Sequence, residues 1–357
     1  MTTTVVAALV LPPPTTGESL ISARIANLLA GSGAHLCVIN TSPKTHRRTI
    51  FYHVRRLAAV LKVPLALVTN VGYSRRSFYT VVGAGYSLIY TIALSAVSRI
   101  LGYRLFLHHH SSWFAREYRR GFDVLTKVAG PRSTNVVLSE AMAIDLRTHY
   151  PRCKEVFVAH NAIHVHDSCE PYRPRPATLV LGHLSNLSLE KGLDTVLDAF
   201  AHVRAEGIDA MLHIAGPVTD PIVANLIHTA SEKFGEKLVC LGQVRGEAKA
   251  QFFSKLDIFL FPSRYKIEAQ PMVVLEALSH GVPAIVTPQG YTGEICEILN
   301  TVVPPSRYVD AVVAFSKKWI EDQNFSVSQR LDARQRFLDL RQTADAQLRG
   351  LASLMTS

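Results

Sequence analysis

The sequence predicts an α/β fold built as two domains, and three observations carry the prediction. Apolar runs of strand length alternate with amphipathic helical stretches, which is the pattern of a parallel sheet covered by helices. A proline- and charge-rich interruption, Glu170-Pro-Tyr-Arg-Pro-Arg-Pro176, precedes a fresh apolar strand. The length of 357 residues is long for one core and natural for two.

Taken in order, Val5 to Leu11 reads as the first strand, Ser19 to Ala30 as an amphipathic helix and Ala34 to Asn40 as the second strand. The N-terminal segment lacks a basic n-region, so it is expected to be a buried strand and not a secretory signal. Further strands are expected at Leu65 to Asn70, Leu105 to His109, Asn135 to Ser139 and Glu155 to Val158. The apolar stretch Gly83 to Leu101 contains Ser87, Ser95, Ser98 and Arg99 and falls short of the roughly 20 clean apolar residues of a membrane span. It predicts a buried helix between strands. The expected organisation is an N-terminal domain over 1–170, a linker over 171–176, a second α/β domain over 177–307 and C-terminal helices over 308–357.

Composition excludes several classes. A hydrophobic content of 48% with 18% charged residues describes a packed globular chain. Five cysteines, odd in number and without a C-x-x-C pair, argue for a reducing compartment and against a zinc site. The net charge of +10 is unevenly divided: residues 1–170 hold 19 basic and 8 acidic residues, residues 171–357 hold 19 and 20. Arg47-Arg48, Arg55-Arg56, Arg75-Arg76 and Arg116 with Arg119-Arg120 make most of the basic clusters. Such a surface suits anionic lipid headgroups or nucleic acid, or serves only as a solvated, solubilising face. The aromatics form no RNA-binding signature, so no nucleic acid partner is expected.

The most informative segment is Ser263 to Val286, SRYKIEAQPMVVLEALSHGVPAIV. Pro271 suits the first position of a helix and Gly281 the residue that ends one, so Met272 to Ser279 is the predicted helix and Ala284 to Thr287 the next strand. Glu268 then precedes the helix and Glu276 lies within it. The two carboxylates bracket a helix N-terminus, where free N–H groups favour a bound phosphate. Each can accept hydrogen bonds from sugar hydroxyls on one side of a diphosphate.

Two features of the first half are candidates on residue type. Pro12 to Glu18 forms a loop with Gly17 just before a helix, either a tight turn or a place where backbone approaches a ligand; it is not a G-x-G-x-x-G fingerprint. His108-His-His110 ends a strand, so His108 and His110 share a face and His109 points the other way. No acid or cysteine lies close enough in sequence to complete a metal site, and none is expected.

Glu268-Ala-Gln-Pro-Met-Val-Val-Leu-Glu276 resembles the E-x7-E motif of glycosyltransferase family 4, with Gln270-Pro271 standing where the family has Phe-Gly, a difference that bears on the donor sugar. Three further segments resemble the same family in the same order. Leu179 to Asp194 is similar to its strand, loop and Lys-Gly helix start; Leu212 to Pro217 to its strand and Gly-Pro turn; Leu241 to Gly246 with Phe252 to Ser263 to its G-x-V, helix and A-D-hydrophobic-P-S series. The resemblance implies a GT-B fold, two Rossmann-like domains facing across a cleft, with the last helix crossing back to the first domain. It implies a retaining hexosyltransferase that moves a sugar from a nucleotide-diphosphate sugar to an acceptor hydroxyl, without a metal or other cofactor.

The site residues follow by the same resemblance. Lys191, Ser185 and Asn186 would hold the diphosphate, since no Arg lies between Leu179 and Asp194 to assist. Gly216, Val244, Pro271, Met272 and Val273 would line the donor, Glu268 would bind its sugar and Glu276 its ribose. Gly17 would face the donor from the first domain, and His110, then His108, would stand against the reacting centre. A glycan or lipid-linked acceptor is implied, with a cytoplasmic chain peripheral to the inner face of the plasma membrane. Two other classes fit parts of the sequence: a GT-B sugar-nucleotide epimerase, and a basic non-enzymatic protein that binds membrane or nucleic acid.

Overall fold

A computed structural model describes residues 3–13, 17–42, 50–168 and 178–357. The chain divides into two compact units, Met1–His164 with Gln342–Ser357, and Val165–Arg341. The linker expected at 171–176 lies outside the described residues.

Unit 1 runs β1 (Thr3–Leu9), α1 (Gly17–Ala30), β2 (His35–Asn40), α2 (Ile50–Thr69), β3 (Arg75–Val81), α3 (Ser87–Ile100), β4 (Arg104–His108), α4 (Arg120–Ala129), β5 (Thr134–Val137), α5 (Glu140–His149) and β6 (Glu155–Val158). The strands form one parallel sheet in the order β2-β1-β3-β4-β5-β6. Strand β1 shows why: Val5 to Leu9 is apolar without alternation and wholly buried, as a parallel strand covered on both faces requires. Ser139 starts α5 by accepting a hydrogen bond from the Met142 amide at 3.2 Å, which satisfies one of the helix's unpaired donors.

Two expectations in this unit are corrected. Leu65 to Asn70 is not a strand but the end of α2 and its turn. Val60, Val63 and Leu67 are buried at helical spacing, and Asn70 Nδ2 closes the end by donating to the Ala66 carbonyl at 2.8 Å. The strand is β3 instead, masked in the sequence by its leading Arg75-Arg76, although Phe78 and Tyr79 are fully buried. Nor is the helix in Gly83 to Leu101 buried throughout. α3 turns Leu88, Leu94, Ser95 and Ser98 inward, where the small serines allow close packing, and leaves Ile89 and Ile100 in solvent.

Unit 2 runs β7 (Leu179–Leu184), α6 (Leu193–Ala205), β8 (Ala210–Ala215), α7 (Pro221–Phe234), β9 (Leu238–Cys240), α8 (Glu247–Ser254), β10 (Ile258–Phe261), α9 (Met272–Ser279), β11 (Ala284–Val286), α10 (Thr292–Cys296) and α11 (Tyr308–Glu321). The final helix, α12 (Gln323–Thr356), begins in this unit and ends in unit 1. The sheet order is β11-β10-β7-β8-β9, all parallel. Connections run outward from β7 to β9, then return to the other side of β7 for β10 and β11. Open sheets bind ligands beyond the carboxyl ends of the strands where the order reverses, here between β7 and β10.

Buried aromatic side chains fix that region. Tyr308, at the start of α11, accepts from the Phe261 amide at 3.1 Å and donates to the Ile285 carbonyl at 2.7 Å, tying the helix to β10 and β11. Trp319, 1% exposed, anchors the other end of α11 in the core, a burial worth about 2–3 kcal/mol. Asp220 caps α7 through the Ile222 amide at 2.9 Å, with Pro221 in its first turn.

Candidate functional site

The carboxyl ends of β7 and β10 deliver the polar groups of the site. After β7 the chain turns at Ser185 and Asn186 and reaches Lys191 and Gly192 before α6. After β10 it passes Pro262 and Ser263 and returns with Glu268 before α9. Lys191 and Glu268 meet there: Nζ lies 2.5 Å from Oε2, with the two side chains 19% and 10% exposed. Ser263 Oγ donates to the same carboxylate oxygen at 3.0 Å. The Lys191 ammonium also stands over the Tyr265 ring, 4.4 Å from its centroid. An ammonium has three donors, so pairing with Glu268 leaves capacity for an anion.

Backbone packing is tight around these groups. A Cβ at Gly216 would stand 1.7 Å from the Ser185 carbonyl oxygen, so only glycine lets the β8 end approach the β7 loop. Its amide donates to the Gly242 carbonyl at 2.7 Å, which draws in the loop that carries the half-buried Val244. A Cβ at Gly290 would likewise stand 1.9 Å from the Glu268 carbonyl oxygen. Asn186 is exposed at the rim.

Helix α9 begins at Met272, with Pro271 preceding it in extended conformation. The Met272 and Val273 amides occupy its first two positions, where no intrahelical acceptor exists. Glu276 follows one turn later. Its Oε1 accepts from Lys249 Nζ of α8, while Oε2 is buried without a hydrogen-bond partner. Burial pushes the Glu276 carboxyl up from its ordinary value, and Lys249 partly opposes the shift. A buried carboxylate oxygen without a donor is suited to a hydroxyl brought by a ligand.

Sequence reasoning missed two residues here. Lys249 sits 27 residues before Glu276, and only the fold brings them together. His183 lies fully buried in β7, with Nδ1 2.9 Å from the Leu260 carbonyl and Nε2 2.9 Å from Ser185 Oγ. The carbonyl fixes the proton on Nδ1, so Nε2 accepts from the serine and orients it. Burial lowers the His183 imidazole to about 4, with Lys191 adding to the effect. An apolar strand interrupted by one histidine was the available signal.

The remaining predicted residues belong to unit 1. Gly17 is the first residue of α1. His108 and His110 lie side by side, ring centroids 4.0 Å apart, and His108 Nδ1 bonds the Tyr79 hydroxyl. His109 turns the other way, bonding Asn135 Oδ1 at 3.0 Å and packing on Phe114 and Phe122. Both ring nitrogens of His110 and Nε2 of His108 are buried without partners. Burial first, and neighbouring imidazoles second, lower His110 to about 3 and His108 well below its ordinary value. His164, which sequence reasoning missed, joins the cluster and is lowered by burial, then by His110 and Arg24, to about 3. Among the described residues no group of three or more His, Cys, Asp or Glu is arranged to hold a metal ion.

Comparison with known proteins agrees with the architecture. The chain is 15% identical to sucrose-phosphate synthase from Thermosynechococcus elongatus, with a TM-score of 0.71 over 99% of this chain and 98% of that one. It is 16% identical to Anabaena HepE, solved in complex with UDP and glucose, with a TM-score of 0.67 over 97% and 99% of the two chains. In sequence, 171 residues are 30% identical to a GDP-mannose-dependent alpha-(1-6)-phosphatidylinositol dimannoside mannosyltransferase of Mycobacterium tuberculosis, covering 47% of this chain and 39% of that protein. A glycogen synthase of Lactiplantibacillus plantarum is 28% identical over 137 residues, 38% of this chain and 26% of its own length. The matches therefore span well under half the length of these curated relatives. The fold is α/β of the GT-B class, and residues 172–336, which hold Lys191, Glu268 and Glu276, match the family model of glycosyl transferases group 1.

Proposed function

We propose that the protein is a retaining glycosyltransferase of family 4 that transfers a hexosyl group from a nucleotide-diphosphate sugar to an acceptor hydroxyl, in cell-surface polysaccharide or glycolipid assembly. The observation that carries this is the joining of Lys191 to Glu268 at the β7/β10 switch point, with a helix N-terminus and the unpartnered Glu276 oxygen on the same sheet edge. A relative named as a GDP-mannose-dependent mannosyltransferase, and a protein of similar fold solved in complex with UDP and glucose, support the reaction class.

In this reading Lys191 and the Met272 and Val273 amides take the diphosphate charge, Ser185, Asn186, Gly216 and Val244 border it, and Pro271 sets the chain's entry to α9. Glu276 holds the ribose and Glu268 the sugar hydroxyls. As the bond between the sugar's anomeric carbon and the diphosphate breaks, its electron pair moves to the phosphate oxygen, where Lys191 stabilises the growing charge. The acceptor oxygen attacks from the same face and its proton passes to the departing phosphate. His110 and His108, neutral at pH 7, offer uncharged hydrogen bonds to hydroxyls. A lysine and a helix N-terminus already supply positive charge, so the reaction is read as metal-independent. The acceptor is a glycan or a lipid-linked glycan, and the basic first unit holds the protein at an anionic cytoplasmic membrane surface.

A thermal-shift screen of nucleotide sugars, followed by product analysis with added acceptors, tests the reading, because a ligand of the native state raises its apparent stability. One nucleotide sugar should raise the melting temperature and be consumed with a stereochemically retained product. Epimerised donor without transfer would replace this reading with the epimerase, and binding of none would remove it.

A further inference from the structure

Helices α2 and α3 lie side by side on the sheet of unit 1, as two successive crossovers in one direction require. Helix α2 is apolar on both sides. Val63 and Leu67 point into the core, while Val54, Leu57, Leu61, Leu65 and Val68 recur at intervals of three and four on the outside. These five are 44–65% exposed, where a surface helix normally carries charge. The neighbouring α3 and the residue before it expose Ile89, Ile100 and Tyr86, 64–93% accessible.

The charged residues of these two helices all have one sign. Helix α2 carries Arg55, Arg56 and Lys62, and α3 carries Arg99. From residue 19 to residue 116 the chain holds 12 Lys and Arg and no Asp or Glu. An aliphatic outer face on α2, flanked by basic side chains and set in a stretch of chain without carboxylates, describes an interfacial helix. The long stems of Arg55 and Lys62 can follow the apolar face while their charged ends reach lipid phosphates. No described helix is long and apolar enough to cross a membrane.

We propose that α2 and α3 form a monotopic docking face that inserts shallowly into an anionic lipid bilayer. A second copy of the chain is the poorer occupant, because a two-fold contact would set the basic side chains of these two helices, which carry no carboxylate, against each other. The proposal deepens the membrane part of the proposed function by naming its seat and its mode, insertion and not electrostatic attraction alone. It requires nothing of the Lys191 site, so each can fail without the other.

The test is sedimentation of the full chain with phosphatidylcholine vesicles, with and without phosphatidylglycerol, at low and high salt. The chain should bind the anionic vesicles and keep part of that binding at high salt, since insertion is not screened as surface charge is. Leu61→Ser with Leu65→Ser should weaken binding by about ten-fold or more while leaving any nucleotide-sugar thermal shift intact. Arg55→Gln with Lys62→Gln should weaken it chiefly at low salt. A Leu61→Cys variant carrying an environment-sensitive dye should report an apolar surrounding when vesicles are added, which guards against a misfolded serine variant. Failure of the wild-type chain to sediment, wild-type binding by the serine pair, or a solution dimer that the serine pair dissociates would each overturn the proposal.

Discussion

At the residue scale, Glu276 joins the donor-binding role proposed for it to a cost in stability. Its carboxyl is raised by burial, so the folded state holds a proton more readily than the unfolded one. The associated stability is present below the ordinary glutamate value and is lost as pH rises through the folded value. Glu276→Gln should therefore melt no lower than the wild type at pH 7.5, and higher if Lys249 finds water, while donor binding weakens by about 1–2 kcal/mol for one hydroxyl contact. Melting curves with and without the nucleotide sugar check both halves. The histidines act in the opposite sense. His109, His110, His164 and His183 are depressed to about 3 or 4, so the stability of their neutral forms is present above about 6.5 and is lost as pH falls toward those values. At pH 5 each acting alone costs about 2 kcal/mol relative to neutral pH. A pH series of melting temperatures should fall steeply between 6.5 and 5, and His109→Gln should flatten it.

Individual residues were unequally legible in the sequence. Glu268, Lys191 and Glu276 stood out because their spacing is local to a strand–loop–helix unit that resemblance identifies. Lys249, His183 and His164 did not, because each acquires its meaning only from a partner on another strand or helix.

At the element scale, α9 was readable because Pro271 and Gly281 mark both of its ends, and the observed span is Met272–Ser279. The Leu65 to Asn70 run was misread because a short aliphatic stretch fits a strand and a helix equally, and only the burial of Val60, Val63 and Leu67 on one side decides it. The contact between the β7 and β8 ends gives a direct prediction. Gly216→Ala places a methyl against the Ser185 carbonyl at an impossible distance, at φ +136°. It should lower stability by about 3 kcal/mol or more and displace the Ser185 loop, so that nucleotide-sugar affinity falls with it. A variant that melts and binds like the wild type would mean that the two strand ends do not pack as described.

At the scale of the whole molecule, two α/β units and their parallel sheets were legible from alternation and length. The basic character of the first half was also plain from counting. That its charge accompanies an aliphatic face on α2 and α3 was not, since an apolar helix reads as buried until its exposure is seen. The central claim is that Lys191 stabilises the leaving diphosphate without a metal. Its most direct test is the turnover of the nucleotide sugar identified by the binding screen, measured with acceptor and excess EDTA for the wild type and Lys191→Ala. The account predicts that wild-type turnover survives the chelator and that the variant, still folded by its melting curve, loses about 100-fold or more in kcat with a smaller change in KM. Wild-type turnover in the Lys191 variant, or complete loss with EDTA restored by magnesium or manganese, would contradict it.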